Sequence, residues 1–332
     1  MKKYYLYIAF IFMAICTYAS LLNYKSLIMQ TDIIKEFNAN KFSDIGFSKI
    51  INANISFPNI TVTAMPLRVF LARYYHLSND NTKALELLNS PLADNPHLLT
   101  YETLKSRIYL SLGVQDSAEF YSKKAFYGLP GNAVNFELYV KSLLIKKDTA
   151  EIKKAFNNVS LKSNPQFWKI YLAAMLNLQS INDSILISQA QKAKSLFQSD
   201  PQIVGVSNFV IYGRENIEKS VVLNDSATTF FNSKDFIKAA ILYSNASKLN
   251  PSDYTYFENA GISYFEAQSY EKSIPYFTHV IDSLNPSTGK SEFFLAKSLY
   301  NINKRDEACG YLKKSMKFNF KPAFAEFSKN CK

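Results

Sequence analysis

Glycine is scarce in this chain, with nine residues in 332. Tight β-turns and phosphate-cradling loops depend on glycine, so the scarcity disfavours an all-β fold, and no glycine-rich phosphate loop occurs. The three histidines, His76, His97 and His279, are isolated and show no H-E-x-x-H or Cys/His ligand spacing. No serine stands in a G-x-S-x-G turn. We therefore predict a non-enzymatic protein that uses no metal and no cofactor.

A concentrated run of positive charge is also missing. The net charge is +11, but the excess of lysine and arginine is spread along the whole length, and no segment is strongly basic. A nucleic-acid-binding face needs clustered cations, so we predict no nucleic-acid partner. Mild basicity fits either proximity to anionic lipid or polysaccharide, or simply a lysine-rich solvated surface.

Proline is present at regular intervals. Pro96, Pro130, Pro165, Pro201, Pro251 and Pro286 are separated by 34, 35, 36, 50 and 35 residues. A period of about 34 residues is typical of a helical repeat array. Because proline lacks a backbone donor and disfavours helical geometry in the preceding residue, each proline is expected to end the second helix of a unit.

Small and aromatic residues recur at fixed offsets within this period. They are Ala72-x2-Tyr75 with Ala84-x3-Leu88, Ala227-x2-Phe230 with Ala239-x3-Tyr243, and Gly261-x2-Tyr264 with Ser273-x3-Phe277. Small residues allow two antiparallel helices to approach where they cross, and the aromatic residues fill the neighbouring gaps. The pattern resembles the tetratricopeptide repeat family. The resemblance implies an all-α, tetratricopeptide-type antiparallel helix-pair solenoid behind one N-terminal transmembrane helix.

The pattern also predicts domain bounds. We expect a transmembrane signal anchor at 1–22, a junction segment at 23–66, a first block of four units at 67–201, a linker helix at 202–223, and a second block of three units plus a capping helix at 224–332. In the last unit, helices are predicted from about Arg305 to Lys317 and from about Lys321 to Asn330.

The first segment predicts the location. Lys2 and Lys3 precede an uncharged stretch from Tyr4 to Leu22, which at 1.5 Å per residue is just long enough for a hydrocarbon core of about 30 Å. The positive-inside rule keeps the lysines cytoplasmic. We predict a single-pass protein of the cytoplasmic membrane with its C-terminal bulk outside the cytoplasm, in the periplasm of a bacterium. A cleaved signal peptide is the alternative, since Thr17-x-Ala19 fits a cleavage site.

One set of cations follows the repeat period. Arg73, Arg107 and Lys141 are spaced by 34 residues and fall at the position that faces the concave groove in this repeat family, and Lys169 follows in the fourth unit. Stacked units would place them about 10 Å apart, as a cationic ladder in the first groove. Such a ladder suits a phosphorylated or uronic-acid glycan, a lipid head group or an acidic peptide. The alternative is that long basic side chains only cover the helix surface.

The corresponding face of the second block is aromatic. Its predicted partner-binding residues are Phe231, Phe265, Phe293, Lys297 and Tyr300. An apolar aromatic groove suits an extended peptide or a partner helix.

Two cysteines lie in the last unit. If the predicted helices fold back on each other about a turn near Asn319, Cys309 and Cys331 could face each other and form a disulfide in an oxidising compartment. The alternative is two unpaired cysteines, one buried and one at a frayed terminus.

Residues 55–141 carry a second resemblance. The segments ISFPNITVTAMPLRVFLARYYHLSND and KKAFYGLPGNAVNFELYVK resemble the soluble tetratricopeptide tail of some bacterial O-antigen ligases and polymerases. Those enzymes have many membrane helices and this chain has one predicted. The first hypothesis is therefore a membrane-anchored adaptor for a protein or anionic envelope partner. The alternative is an accessory chain of an O-antigen ligase or polymerase, bound to a membrane-embedded glycan-assembly enzyme.

Overall fold

The computed structural model describes residues 2–39, 41–52, 55, 57–89, 95–178 and 183–331. Within these ranges the protein forms 18 α-helices and no strand, with one isolated β-bridge between Ile60 and Pro66. The all-α prediction is confirmed. The chain divides into two compact units, Met1–Leu178 and Gln179–Lys332.

The first unit begins with a long helix and continues in helix pairs. Its helices are α1 (Lys2–Asn38), α2 (Asp44–Ile51), α3 (Leu67–Leu77), α4 (Asn81–Leu88), α5 (Thr100–Ser111), α6 (Gln115–Gly128), α7 (Ala133–Lys146), α8 (Thr149–Asn157) and α9 (Pro165–Asn177). The predicted pairs of the first three repeats are therefore α3 with α4, α5 with α6, and α7 with α8.

The α1 helix is long and apolar enough to cross a membrane. Its segment Tyr4–Asn38 has 35 residues, reaches a mean hydropathy of 1.9, and is not buried against the rest of the protein in its most apolar window. Signal sequences share these properties. The helix continues past the uncharged stretch, and its last turns pack Ile33 and Phe37 against α3. One continuous helix thus carries the apolar segment and packs against the first repeat.

The second unit has the same pairwise organisation. Its helices are α10 (Ser184–Leu196), α11 (Pro201–Tyr212), α12 (Arg214–Asn232), α13 (Phe236–Leu249), α14 (Tyr254–Glu266), α15 (Tyr270–His279), α16 (Lys290–Asn301), α17 (Arg305–Lys317) and α18 (Lys321–Asn330). The observed bounds of α17 and α18 agree with the predicted ones.

The predicted linker, residues 202–223, is not one separate helix but is divided between α11 and α12. Gly213, at φ 86°, breaks the chain between α11 and α12, and α12 then runs without interruption into the first repeat of the second unit. A positive φ strains residues with a Cβ atom, so glycine suits this break. In the sequence the repeat pattern starts at Asn224, since the first small residue of that repeat is Ala227. The helix that carries it, α12, already starts at Arg214, ten residues earlier.

Pro130 and Pro251 follow the ends of α6 and α13 as expected, but two other prolines differ in place from the expectation. Pro165 and Pro201 are the first residues of α9 and α11, and neither ends the helix before it. The first position of a helix suits proline because its backbone nitrogen needs no hydrogen-bond partner there. The preceding Asn164 and Asp200 complete the start, since their side chains accept hydrogen bonds from the backbone N–H groups of the first turn.

Candidate functional site

A cavity of about 470 Å³ opens in the first unit, on the face formed by α3, α5 and the start of α7. These are the first helices of three successive repeats, so this face is the one on which the sequence placed the first groove. The cavity is lined by Phe37, Met65, Val69, Arg73, Leu98, Thr100, Thr103, Leu104, Arg107, Asn132 and Val134.

Two of the predicted cations meet in this cavity. Arg73 is half-buried and Arg107 is exposed, and both side chains line the cavity. Burial, and then the positive charge of Arg107, lowers the pKa of Arg73. The shift reports that two like charges stand close together in a partly desolvated place.

The guanidinium group of Arg73 is held by aromatic rings. Its central carbon lies 4.4 Å from the ring centroid of Phe37 and 4.8 Å from that of Phe42. Cation–π contacts of this kind restrict the side chain and keep its charge facing the cavity. Both phenylalanines belong to the junction that precedes the repeats. Repeat spacing could not reveal them, because that reasoning concerns only residues that recur with the period.

The lining otherwise offers apolar surface and a few uncharged polar groups. None of the described residues that line it is acidic. The Thr100 hydroxyl oxygen is shielded from solvent and has no hydrogen-bond partner among the described residues. An anionic group entering the cavity would therefore meet two cations and no like charge.

The other two predicted cations do not line this cavity. The Lys141 ammonium forms an ion pair with the Glu137 carboxylate one helical turn earlier, at 2.6 Å. Lys169 lies half-buried on α9. The structure thus brings together Arg73 and Arg107 and separates them from Lys141 and Lys169.

The second unit has a cavity of about 350 Å³ between α12, α14 and α16. Its lining residues are Phe231, Tyr243, Asn259, Ile262, Glu266, Lys290 and Phe294. Lys290 pairs at 2.9 Å with the buried carboxylate of Glu258, which also accepts a hydrogen bond from the Ser291 hydroxyl at 2.7 Å. The lining is mixed in polarity, so it is less apolar than the sequence suggested.

The predicted residues of this second groove are distributed over different environments. Phe231 lines the cavity, whereas Phe293 is 9% exposed and belongs to the core around Phe277. The ammonium of Lys297 lies 5.1 Å from the Phe265 ring centroid and 5.6 Å from that of Phe293. Tyr300 is 42% exposed and lines a separate small cavity of about 30 Å³ next to α17 and α18.

The last two helices are joined covalently. Cys309 on α17 and Cys331 after α18 form a disulfide, with their Cα atoms 5.6 Å apart. The Arg305 side chain adds a hydrogen bond from Nε to the Asn330 carbonyl oxygen at 2.8 Å. Within the described ranges, no group of three His, Cys, Asp or Glu side chains is placed to hold a metal ion.

The positions that define the repeat pattern are buried where paired helices cross. Ala72 and Ala84 are fully buried between α3 and α4, and Ala227 and Ala239 between α12 and α13. At the third such crossing, the Phe277 ring of α15 packs directly on Gly261 of α14. The chain folds as tetratricopeptide-type repeats. Small residues stand at the crossings because a larger side chain would push the two helices apart.

No family model matches the chain. A curated relative, BBSome complex member BBS4 of Bos taurus, is 26% identical over 228 residues, which is 68% of this chain and 40% of that protein. The chain thus spans about two fifths of the length of this relative.

Solved structures with some similarity include two tetratricopeptide proteins. The P58(IPK) TPR domain is 13% identical, with 93% of this chain and 97% of that chain covered and a TM-score of 0.39. A tetratricopeptide repeat protein from Parabacteroides merdae ATCC 43184 is 14% identical, with coverages of 79% and 96% and a TM-score of 0.37. The fold assignment rests on the helix pairs of this chain itself. The resemblance to O-antigen ligase tails stays a prediction.

Proposed function

We propose that the protein is a non-enzymatic adaptor that is anchored in the cytoplasmic membrane by α1, with its repeats outside the cytoplasm. Its first groove binds an extended acidic segment of a protein partner. The observation that carries this proposal is the pair Arg73 and Arg107 in one partly apolar cavity without an acidic lining residue.

The electrostatics of the pair favour a carboxylate ligand. Burial, and then the positive charge of Arg107, lowers the pKa of Arg73, and an anion placed between the two guanidinium groups would relieve their mutual repulsion. Arginine donates two parallel hydrogen bonds to one carboxylate, so a Glu or Asp side chain fits the pair well. The rings of Phe37 and Phe42 hold Arg73 in advance, which lowers the entropy lost on binding.

The apolar lining of the cavity favours a peptide over a glycan. Phe37, Met65, Val69, Leu98, Leu104 and Val134 form most of its lining. Apolar surface beside a cationic pair suits an extended peptide with an acidic side chain and an apolar side chain two residues apart, because these two side chains lie on the same face. A uronic-acid glycan would leave this apolar surface without a matching group.

The distribution of residues along α1 supports the membrane anchor. Exposed tyrosines stand at both ends of the apolar stretch, at Tyr4, Tyr5 and Tyr7 and again at Tyr18 and Tyr24. Tyrosine is enriched where a membrane helix passes through the two interfaces. With Lys2 and Lys3 on the cytoplasmic side, the repeats follow on the other side.

The test is binding of a fluorescent peptide of repeating Glu-Ser-Leu-Ser, which places Glu and Leu on one face when extended, to the full chain in detergent. We compare the wild type with the double variant Arg73→Gln, Arg107→Gln. Losing two charge-assisted contacts should weaken binding about a hundredfold or more. The matched control is Lys147→Gln with Lys162→Gln, which removes two exposed lysines outside the cavity.

The control variant distinguishes binding at the two arginines from general attraction of the acidic peptide to a positively charged protein. If both double variants bind the peptide equally weakly, only the net charge matters and the proposed site is refuted. An oligomer of galacturonic acid serves as the second ligand. If it binds through the same arginines and the peptide does not, the ligand class is an acidic glycan and the peptide proposal fails.

A further inference from the structure

A second cavity of the first unit lies beside the membrane-facing part of α1. It has a volume of about 380 Å³ and is lined by Leu22, Lys25, Ser26, Ile28, Met29, Asp32, Lys49, Asn52 and Phe57. Its walls come from α1, from the end of α2 and from the turn at Phe57. Neither the repeats nor the first groove uses these residues.

The α2 helix runs back along α1 in the opposite direction. At its start, the Ser43 backbone N–H donates a hydrogen bond to the Glu36 carboxylate at 3.1 Å. Further along, Lys49 forms an ion pair with Asp32, one turn earlier on α1. Asn52 and Phe57 then share the cavity with Leu22. The chain after α1 therefore returns to the level at which the uncharged stretch ends.

The helical rise gives the height of this cavity. At 1.5 Å per residue, Lys25 lies about 4–5 Å beyond Leu22 and Met29 about 10 Å beyond it. The interfacial layer on each side of a hydrocarbon core is about 5–8 Å thick. If the uncharged stretch spans the membrane, the end of the cavity at Leu22, Lys25 and Ser26 lies at the level of the lipid head groups, and the rest of it lies just above.

The residues at this level combine apolar and cationic character. Ile28, Ile51 and Phe57 are 54%, 45% and 50% exposed. Lys25 is exposed, and the ion pair of Lys49 with Asp32 is neutral as a whole. An exposed lysine beside apolar side chains matches a glycerophospholipid, whose phosphate is anionic and whose glycerol and upper acyl carbons are apolar.

We propose that Lys25, Ile28, Ile51 and Phe57 form a junction surface that docks on the outer leaflet and seats a phospholipid in this cavity. The proposal rests on the membrane anchor of the proposed function. Its consequence concerns the first groove, because Phe37 contacts Arg73 and lies 15 residues beyond Leu22 on α1. Docking holds that groove about 22 Å above the hydrocarbon core, facing extended partners near the membrane surface.

The test uses the full chain in phosphatidylcholine and phosphatidylglycerol vesicles, with the same lipids brominated on their upper acyl carbons in a parallel sample. A tryptophan is introduced by Phe57→Trp or by Ile51→Trp, and Trp168, which is buried in α9, supplies a constant background. The added emission should fall about twofold in brominated vesicles, because an interfacial indole lies within reach of the bromines. The control variant is Phe120→Trp, at a side chain that is 63% exposed on α6, and its emission should not change.

Carbonate extraction of the same vesicles distinguishes the two proposals. If the chain stays in the membrane and both junction tryptophans escape quenching, the docking surface is refuted while the anchor stands. If carbonate releases the chain, the anchor fails and the docking inference fails with it. Equal quenching of the Phe120→Trp variant would show nonspecific adsorption and also overturn the inference.

Discussion

Gly261→Ala places a methyl group where α14 meets α15, and its effect can be worked from the structure. A Cβ atom built on Gly261 lies 2.8 Å and 2.9 Å from two ring carbons of Phe277. Contacts under 3.0 Å do not occur for real Cβ atoms, so the ring must shift. Phe277 is fully buried and packs on Phe294, with 5.9 Å between the ring centroids, so the shift spreads into the core.

Two opposing terms set the magnitude. Replacing a helical glycine by alanine stabilises by about 0.5–1 kcal/mol through lower backbone entropy in the unfolded chain. Overpacking a well-filled core costs about 1–3 kcal/mol. Gly205→Ala is the matched control, because Gly205 is also helical and its added methyl would have no neighbour within 4 Å. The helix-propensity gain is common to both variants, so their difference isolates the contact with Phe277.

The assay is thermal unfolding of the full chain in detergent, followed by circular dichroism at 222 nm. Each kcal/mol corresponds to about 2–4 °C for a unit of this size. We expect the midpoint of Gly261→Ala to lie about 2–12 °C below that of Gly205→Ala. Equal upward shifts in both variants would refute the helix crossing and the repeat register built on it.

Three further outcomes are expected. A digest of exported protein without reductant should contain one linked peptide pair with Cys309 and Cys331, and alkylation of both thiols would rule the bond out. A reporter that is active only outside the cytoplasm, fused after Lys332, should be active, and a silent fusion with normal expression would contradict the orientation. Burial raises the pKa of Glu151, but hydrogen bonds, first from Tyr139, outweigh it and lower that pKa below its ordinary 4.5. The wild type should therefore exceed Glu151→Gln in stability above pH 4.5 and lose this advantage as the pH falls below it; a constant difference in urea midpoints would contradict the assignment.

The repeats could be predicted because their pattern is local and recurrent. Ala72, Ala227 and Gly261 mark helix crossings by residue size alone, and all three are buried as that reasoning requires. The bounds of α17 and α18 followed from the same spacing. The first residues of the helices were harder to predict, because Pro165 and Pro201 fit a first helical position as well as a break after a helix.

The candidate site could be predicted only in part from the sequence. Repeat spacing placed Arg73 and Arg107 on one face, and the structure brings both into one cavity. Repeat spacing did not indicate that Glu137 pairs with Lys141, although a glutamate four residues before a lysine on one helix is the spacing that forms such ion pairs. Nor could spacing place Phe37, since the junction has no period and its packing on α3 is a tertiary contact.

The packing of aromatic side chains shows the same limit. Phe265 lies on α14, whereas Phe293 and Phe294 both lie on α16. The sequence pattern predicted Phe265 and Phe293 as groove residues. In the structure Phe293 lies in the core, and Phe294 lines the second cavity. Neighbouring positions on a helix point about 100° apart, so a one-residue difference in register exchanges core and surface.

The central claim is that the first groove contacts a partner in the cell, and site-specific photo-crosslinking tests it most directly. The probe replaces Val134, which lines the cavity and is 44% exposed, and the control probe replaces Ile145 on the same helix, which is 55% exposed and outside the lining. We expect a crosslinked protein from Val134 but not from Ile145, with the crosslink at an acidic segment of the partner and lost in the Arg73→Gln, Arg107→Gln background. Identical products from both probes, or a Val134 product that persists without the two arginines, would contradict it.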